Sequence, residues 1–116
     1  IAQYYLSHLE GIDGLDFIRQ TEGAETKWHI FGILVPPAEK YQVRDALRAE
    51  GIMANVHYTP LHRNRFYSHL ATDAEMPGSM EFFGRLLRLP LYPSLTEAEM
   101  GHVVAAVKKV FKGTRQ

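Results

Sequence analysis

The densest group of reactive side chains in the chain is Val56-His57-Tyr58-Thr59-Pro60-Leu61-His62-Arg63. It gathers two imidazoles, a phenol and a guanidinium where a run of extended character gives way to a loop, and loops at strand ends are common sites of binding chemistry. Imidazole and guanidinium both donate to phosphate or carboxylate, arginine bidentately. The plain alternative is a strand-end histidine satisfied by backbone, with its neighbours solvated. A metal reading would use His57, His62 and His69. It is disfavoured, because Pro60 interrupts the first pair and the i, i+4 helical spacing of zinc proteases is missing. Asp73 or Glu75 would have to fold back to complete such a site. Ser7, Ser68, Ser79 and Ser94 lack the Gly-x-Ser-x-Gly setting of a strand–turn–helix nucleophile. No Walker A or Gly-x-Gly-x-x-Gly pattern supplies a phosphate-cradling loop. The carboxylate pairs Asp73/Glu75 and Glu97/Glu99 have no neighbour that would raise their pKa, and the second pair sits where it stabilises a helix start. Five lysines remain: Lys27, Lys40, Lys108, Lys109 and Lys112. A lysine that forms a covalent adduct needs a desolvated pocket or a neighbouring cation. All five are expected on solvated faces, so no catalytic residue, metal ligand or cofactor ligand is assigned.

The elements that must position these groups are legible in outline. Ile1 to Glu10 reads as a helix ended at Gly11, with Ile1, Tyr5, Leu6 and Leu9 near one face. Tyr4, Tyr5, Leu6 and Leu9 together spread beyond a single stripe, which makes this helix the expected carrier of a sticky, self-associating face. Leu15 to Ile18 is a short strand. Trp28 to Val35 is the strongest strand signal, a continuous apolar run that suits a central strand covered on both faces. Pro37 opens a helix reaching Glu50, with Val43, Ala46 and Leu47 inward and Gly51 as its stop. Ile52 to Tyr58 reads as a further strand. Leu61 to Pro77 is irregular, with one helical turn around Arg65 to His69. Gly78 to Leu87 is a short helix carrying Met80, Phe83 and Leu87. Leu89 to Pro93 is extended, because each proline disfavours helix before it. Thr96 and Glu99 form a capping box for a last helix with Met100, Val103, Val104, Val107, Val110 and Phe111 at helical spacing. The expected fold is α/β (α+β): a small three- or four-stranded sheet with helices packed on it.

Composition sets the outer bounds. The 116 residues fit one domain, 1–116, and 46% hydrophobic residues supply a core without disulfide or metal. Thirteen basic residues balance thirteen acidic ones, which offers no bulk attraction for nucleic acid and little repulsion against self-association. Cysteine is absent, which excludes disulfide frameworks and thiolate chemistry and fits a reducing compartment. No run approaches the roughly 20 apolar residues of a membrane span. The opening Ile1-Ala2-Gln3-Tyr4-Tyr5-Leu6 lacks Met and starts inside a helix, so an N-terminal truncation is expected.

One resemblance ties the pieces together. Trp28-His29-Ile30-Phe31, Arg44-Asp45-Ala46-Leu47 with Glu50-Gly51-Ile52, His57-Tyr58-Thr59-Pro60-Leu61-His62 and Leu89-Pro90-Leu91-Tyr92-Pro93-Ser94-Leu95-Thr96 stand in an order that resembles the C-terminal domain of the DegT/StrS family. These are nucleotide-sugar aminotransferases of fold type I that use pyridoxal phosphate. The resemblance implies a cytoplasmic, homodimeric enzyme whose large domain, preceding Ile1, carries the Schiff-base lysine and most cofactor contacts. It implies a small domain that shapes the sugar-nucleotide side of the site, with His57, Tyr58 and His62 lining it and Tyr67 and Tyr92 as further contacts. The implied reaction moves an amino group from an amino acid, usually glutamate, to a keto-sugar nucleotide, and the fragment alone is expected to be inactive. A dehydrase of the same family and a free-standing, non-catalytic binding module are the rival readings.

Overall fold

The computed structural model describes residues 1–113. In chain order these form α1 (Ala2–Leu9), β1 (Asp16–Phe17), β2 (Phe31–Leu34), α2 (Lys40–Ala49), α3 (Pro77–Arg85), β3 (Leu86–Leu89) and α4 (Glu97–Gly113). Among the described residues the strands make one antiparallel sheet, ordered β1-β2-β3. Asp16 pairs with Leu34, and Phe31, Gly32, Ile33 and Leu34 pair in turn with Leu89, Arg88, Leu87 and Leu86. The fold is thus the three-stranded, antiparallel form of the sheet-and-helix layer expected from the sequence.

The pleat then sorts side chains onto two faces. Phe31, Ile33, Leu87 and Leu89 enter the core with Tyr5 and Leu9 of α1, Val43 and Leu47 of α2, and Val103 and Val107 of α4. Both α1 and α2 pack on α4. Burying each such side chain contributes roughly 1.5–3 kcal/mol, so this layer dominates the stability of the fold. Phe31 is its hub: the rings of Tyr5, Trp28 and Phe17 lie 5.1, 5.5 and 5.9 Å from its centroid. On the other face Gly32 lies opposite Arg88. A Cβ at Gly32 would come within 2.7 Å of Ile18 Cδ1 and 2.8 Å of Leu86 Cδ1, so those two side chains occupy the space a larger residue would need.

Helix boundaries follow local chemistry. Pro37–Glu39 form a 3-10 turn that leads into α2. Gly51, at φ 81, closes α2 with a Schellman motif: its N–H donates to Arg48 O and that of Ile52 to Leu47 O. The predicted capping box at α4 is present, with Thr96 N and Oγ1 both donating to Glu99 Oε2 at 2.7 and 2.8 Å.

Five expectations need correction. The strand expected over Trp28–Val35 is confined to Phe31–Leu34, because Trp28 has a positive φ of 38 that breaks the extended run. Ile52–Tyr58 is not a strand. Ala54 N–H is spent on Ile52 O, and the segment meets the sheet at the single bridge Asn55–Arg88. Arg65 to His69 lie in turns rather than a helical turn, while 3-10 turns form at Leu61–Arg63 and Asp73–Glu75. The helix expected through Leu87 ends at Arg85, and Leu86–Leu89 is the third strand, drawn out of the helix by four ladder partners on β2. Lys40 is not solvated. It is 1% exposed, and its Nζ donates to Phe83 O and lies 4.1 Å from the Phe83 ring centroid. Phe83 lies in the last turn of α3, where carbonyls lack intrahelical partners, so Lys40 caps that helix.

Candidate functional site

Pro60 starts the 3-10 turn Leu61–Arg63, which carries His62 inward to 7% exposure. Ten residues on, Thr72 N and Oγ1 donate to Glu75 Oε2 at 2.8 and 2.7 Å, a capping box that the sequence reading passed over. This box closes the turn that presents Asp73. Asp73 Oδ1 then pairs with His62 Nε2 at 2.9 Å and accepts from Arg63 Nε at 3.0 Å, while Oδ2 accepts from the Arg63 guanidinium. Hydrogen bonds from Arg63 first, and His62 second, hold the Asp73 carboxyl well below the ordinary carboxylate range. The result is a braced loop in which one carboxylate fixes an imidazole and a guanidinium.

Of the remaining predicted residues, His57, Tyr58 and Tyr67 flank that turn along the chain. His57 is half-buried, with Nδ1 enclosed and without a hydrogen-bond partner. The Tyr58 ring meets its edge at 4.5 Å, the peptide between them is cis, and Tyr58 is 78% exposed. Tyr67 packs edge-on against Phe66, itself exposed. Tyr92 lies elsewhere, beyond β3, where it lines a pocket of about 270 Å³ with His29, Met53, Asn55, Arg88 and Leu91. None of His57, Tyr58, His62 or Tyr67 lines that pocket. The structure therefore brings His62 together with Arg63 and Asp73, and sets Tyr92 beside Arg88 and Asn55.

Arg88 and Asn55 were absent from the sequence-derived site. The available signal was one arginine inside Leu86-Leu87-Arg88-Leu89, a polar residue at an alternate position of an apolar run. Reading that run as the end of a helix concealed it.

The lysines decide what the described residues can hold. Lys27 is exposed and pairs with Glu25 at 2.9 Å, and Lys109 pairs with Glu50 at 2.7 Å. Lys108 and Lys112 are exposed near the end of α4. Lys40 is desolvated, which lowers its pKa, with Arg44 adding to the effect. It is nevertheless sealed beneath Phe83 rather than open to a cavity. Lys108 and Lys112 line an open pocket of about 490 Å³ together with Ile12, Asp13 and Phe111. Among the described residues no cluster of histidine and carboxylate side chains could hold a metal ion, and no helix is long and apolar enough to cross a membrane.

Comparison with known proteins places this geometry in context. Residues 1–108 match the model of the DegT/DnrJ/EryC1/StrS aminotransferase family. The spore coat polysaccharide biosynthesis protein SpsC of Bacillus subtilis is 29% identical over 97% of this chain, which covers 31% of SpsC. A UDP-N-acetyl-3-dehydro-alpha-D-glucosamine 3-aminotransferase of Acidithiobacillus ferrooxidans is 28% identical, again over 97% of this chain and 30% of the relative. The crystal structure of DesV of S. venezuelae in complex with a ketimine intermediate superposes with a TM-score of 0.89 at 27% identity, over 96% of this chain and 30% of DesV. The chain thus spans just under a third of the length of these relatives, and it belongs to the DegT/DnrJ/EryC1/StrS aminotransferase family.

Proposed function

We propose that this chain is the C-terminal small domain of a pyridoxal-phosphate-dependent sugar aminotransferase. In this reading the intact protein transfers an amino group from an amino acid, glutamate first among candidates, to a keto-sugar nucleotide. The observation that carries it is the match to the aminotransferase family over residues 1–108, joined to the close superposition on DesV. Pyridoxal phosphate supplies the electron sink for such chemistry. Since the lysines described here are paired, exposed or sealed, the rest of the protein would hold it. The amino-sugar product suits polysaccharide or deoxyaminosugar biosynthesis, and a cytoplasmic homodimer is part of the same proposal, with no nucleic-acid or membrane partner.

This domain's share of the work is to bind and orient the sugar nucleotide. His57, with an enclosed and partnerless Nδ1, has a hydrogen bond to offer to a group from outside the described residues. Tyr58 is exposed on the same loop, and His62 and Arg63 brace the loop through Asp73. Tyr67 adds a phenol a few residues further along the chain, and Tyr92 adds one from the separate pocket beyond β3. The test uses the intact protein loaded with pyridoxal phosphate: L-glutamate is added, 2-oxoglutarate is quantified, and a panel of keto-sugar nucleotides is then supplied and analysed by mass spectrometry. Formation of an amino-sugar nucleotide is expected. Loss of a hydroxyl without gain of nitrogen would establish a dehydrase instead, and no change in any substrate would leave a non-catalytic binding module.

A further inference from the structure

Arg88 is the one charged residue of β3, and its side chain lies on the face away from the helix layer, since Leu87 and Leu89 on either side enter the core. It is half-buried, and among the described residues its guanidinium meets no carboxylate or carbonyl. Arg44, Arg63 and Arg85 differ, because each lies within ion-pair distance of an aspartate. An arginine stays charged at all relevant pH values, so an acceptor that met this guanidinium would form a charge-assisted hydrogen bond. Asn55 exchanges both backbone hydrogen bonds with Arg88, N to O at 3.1 and 2.8 Å. Residues paired in that way project their side chains from the same face, so the Asn55 amide stands beside the guanidinium. The pocket they share also presents His29 and Tyr92, has Met53 and Leu91 as apolar walls, and contains no aspartate or glutamate. At about 270 Å³ it falls just below the roughly 300–1,000 Å³ of sites for whole drug-sized ligands, which suits one anionic group.

We propose that this pocket binds an anionic oxygen group, a carboxylate or a phosphate, on Arg88 with Asn55 beside it. Two sources have this chemistry: the carboxylate of the amino donor and a phosphate of the sugar nucleotide. That choice of sources rests on the function proposed above, whereas the anion site itself does not. The planar fork of Arg88 matches either group bidentately, and the apolar walls strengthen the contact by limiting water.

Calorimetric titration of the intact protein with inorganic phosphate, UDP and glutarate (a dicarboxylate without a transferable amino group) tests the site. Arg88→Gln is expected to weaken at least one probe by roughly tenfold or more, the loss of a charge-assisted hydrogen bond. Met53→Glu, at an exposed rim position, is expected to weaken the same probe by placing a negative charge at the mouth, and it guards against a folding defect confined to the Arg88 variant. Weakening of glutarate alone identifies a carboxylate site, and weakening of phosphate and UDP a phosphate site. Unchanged affinity in both variants, or no binding of any probe to the wild type, overturns the proposal. Arg88-dependent binding in a protein that transfers no amino group would keep the site and remove the proposed function.

Discussion

At the residue scale, the braced loop makes His62 a testable group. Its Nε2 is engaged by Asp73, so its influence on a ligand depends on the orientation that Asp73 imposes. In the intact protein, His62→Ala is expected to slow the sugar-nucleotide half-reaction by roughly tenfold or more and to leave the amino-acid half-reaction nearly unchanged. Single-turnover measurement of each half-reaction separates the two, and equal slowing of both would remove His62 from the sugar side. Asp73 adds a pH signature. A carboxyl held below its unfolded value contributes stability that is present above about pH 4 and is lost as pH falls through the folded value. Asp73→Asn should therefore flatten the acid limb of the stability profile, as read by urea unfolding from neutral to strongly acidic pH. An unchanged acid limb would show that Arg63 and His62 do not hold Asp73 in solution.

At the element scale, two helix ends carry measurable stability. Thr96→Ala removes the hydroxyl that joins the capping box of α4 and is expected to cost roughly 1 kcal/mol by thermal or chemical unfolding. A change near zero would mean that the box is only ornamental to α4. At the end of α3, Lys40 donates to Phe83 O from a buried position. Its folded pKa is lowered by burial, so the unfolded chain binds the proton more tightly and stability rises as pH climbs toward the lysine range. Lys40→Met should lack that rise. Tyr5 acts in the opposite sense: burial, with Tyr92 adding to it, pushes its pKa up to about 12, and the stability it contributes is lost as pH rises from about 10 through 12. Because Tyr5 is common to both proteins, the difference between wild type and Lys40→Met isolates the lysine. Parallel profiles would show that Lys40 is solvated after all.

At the scale of the whole molecule, the unpartnered surface is not where the periodicity of the first helix pointed. Tyr5 and Leu9 are fully buried, and Tyr4 and Leu6 are half-buried against the core, because α1 packs along α4. Among the described residues the large apolar side chains that are more than 60% exposed are instead Met53, Tyr58, Leu61, Phe66 and Leu70, all in the irregular stretch that carries the candidate site. A segment that exposes several large apolar side chains favours contact with another surface, and a net charge of zero provides little repulsion to oppose it. The 116-residue chain is expected to self-associate with rising concentration in sedimentation experiments at moderate salt. Leu61→Ser/Phe66→Ser should restore the monomer, whereas Tyr4→Ser/Leu6→Ser should lower stability without changing association. A strict monomer at high concentration would refute an orphaned interface.

What the sequence by itself determined is the part governed by short-range chemistry. The caps at Thr96 and Gly51, the helical stripe of α4, the first-turn proline before α2 and the reactive character of His57 to Arg63 all depend on residues within a few positions of one another. The ordered motifs likewise sufficed to identify the family. Tertiary structure decided everything that needed a distant partner. Leu86–Leu89 reads equally well as a helix end or a strand until β2 lies beside it, and only then does Arg88 turn toward a pocket with Asn55. Lys40 looks solvated beside its charged neighbours until α3 folds over it and offers Phe83 O. Asp73 lies in a polar loop until two turns bring it to His62 and Arg63. In each case the deciding energy is burial or a hydrogen bond between segments ten or more residues apart, which no local pattern encodes.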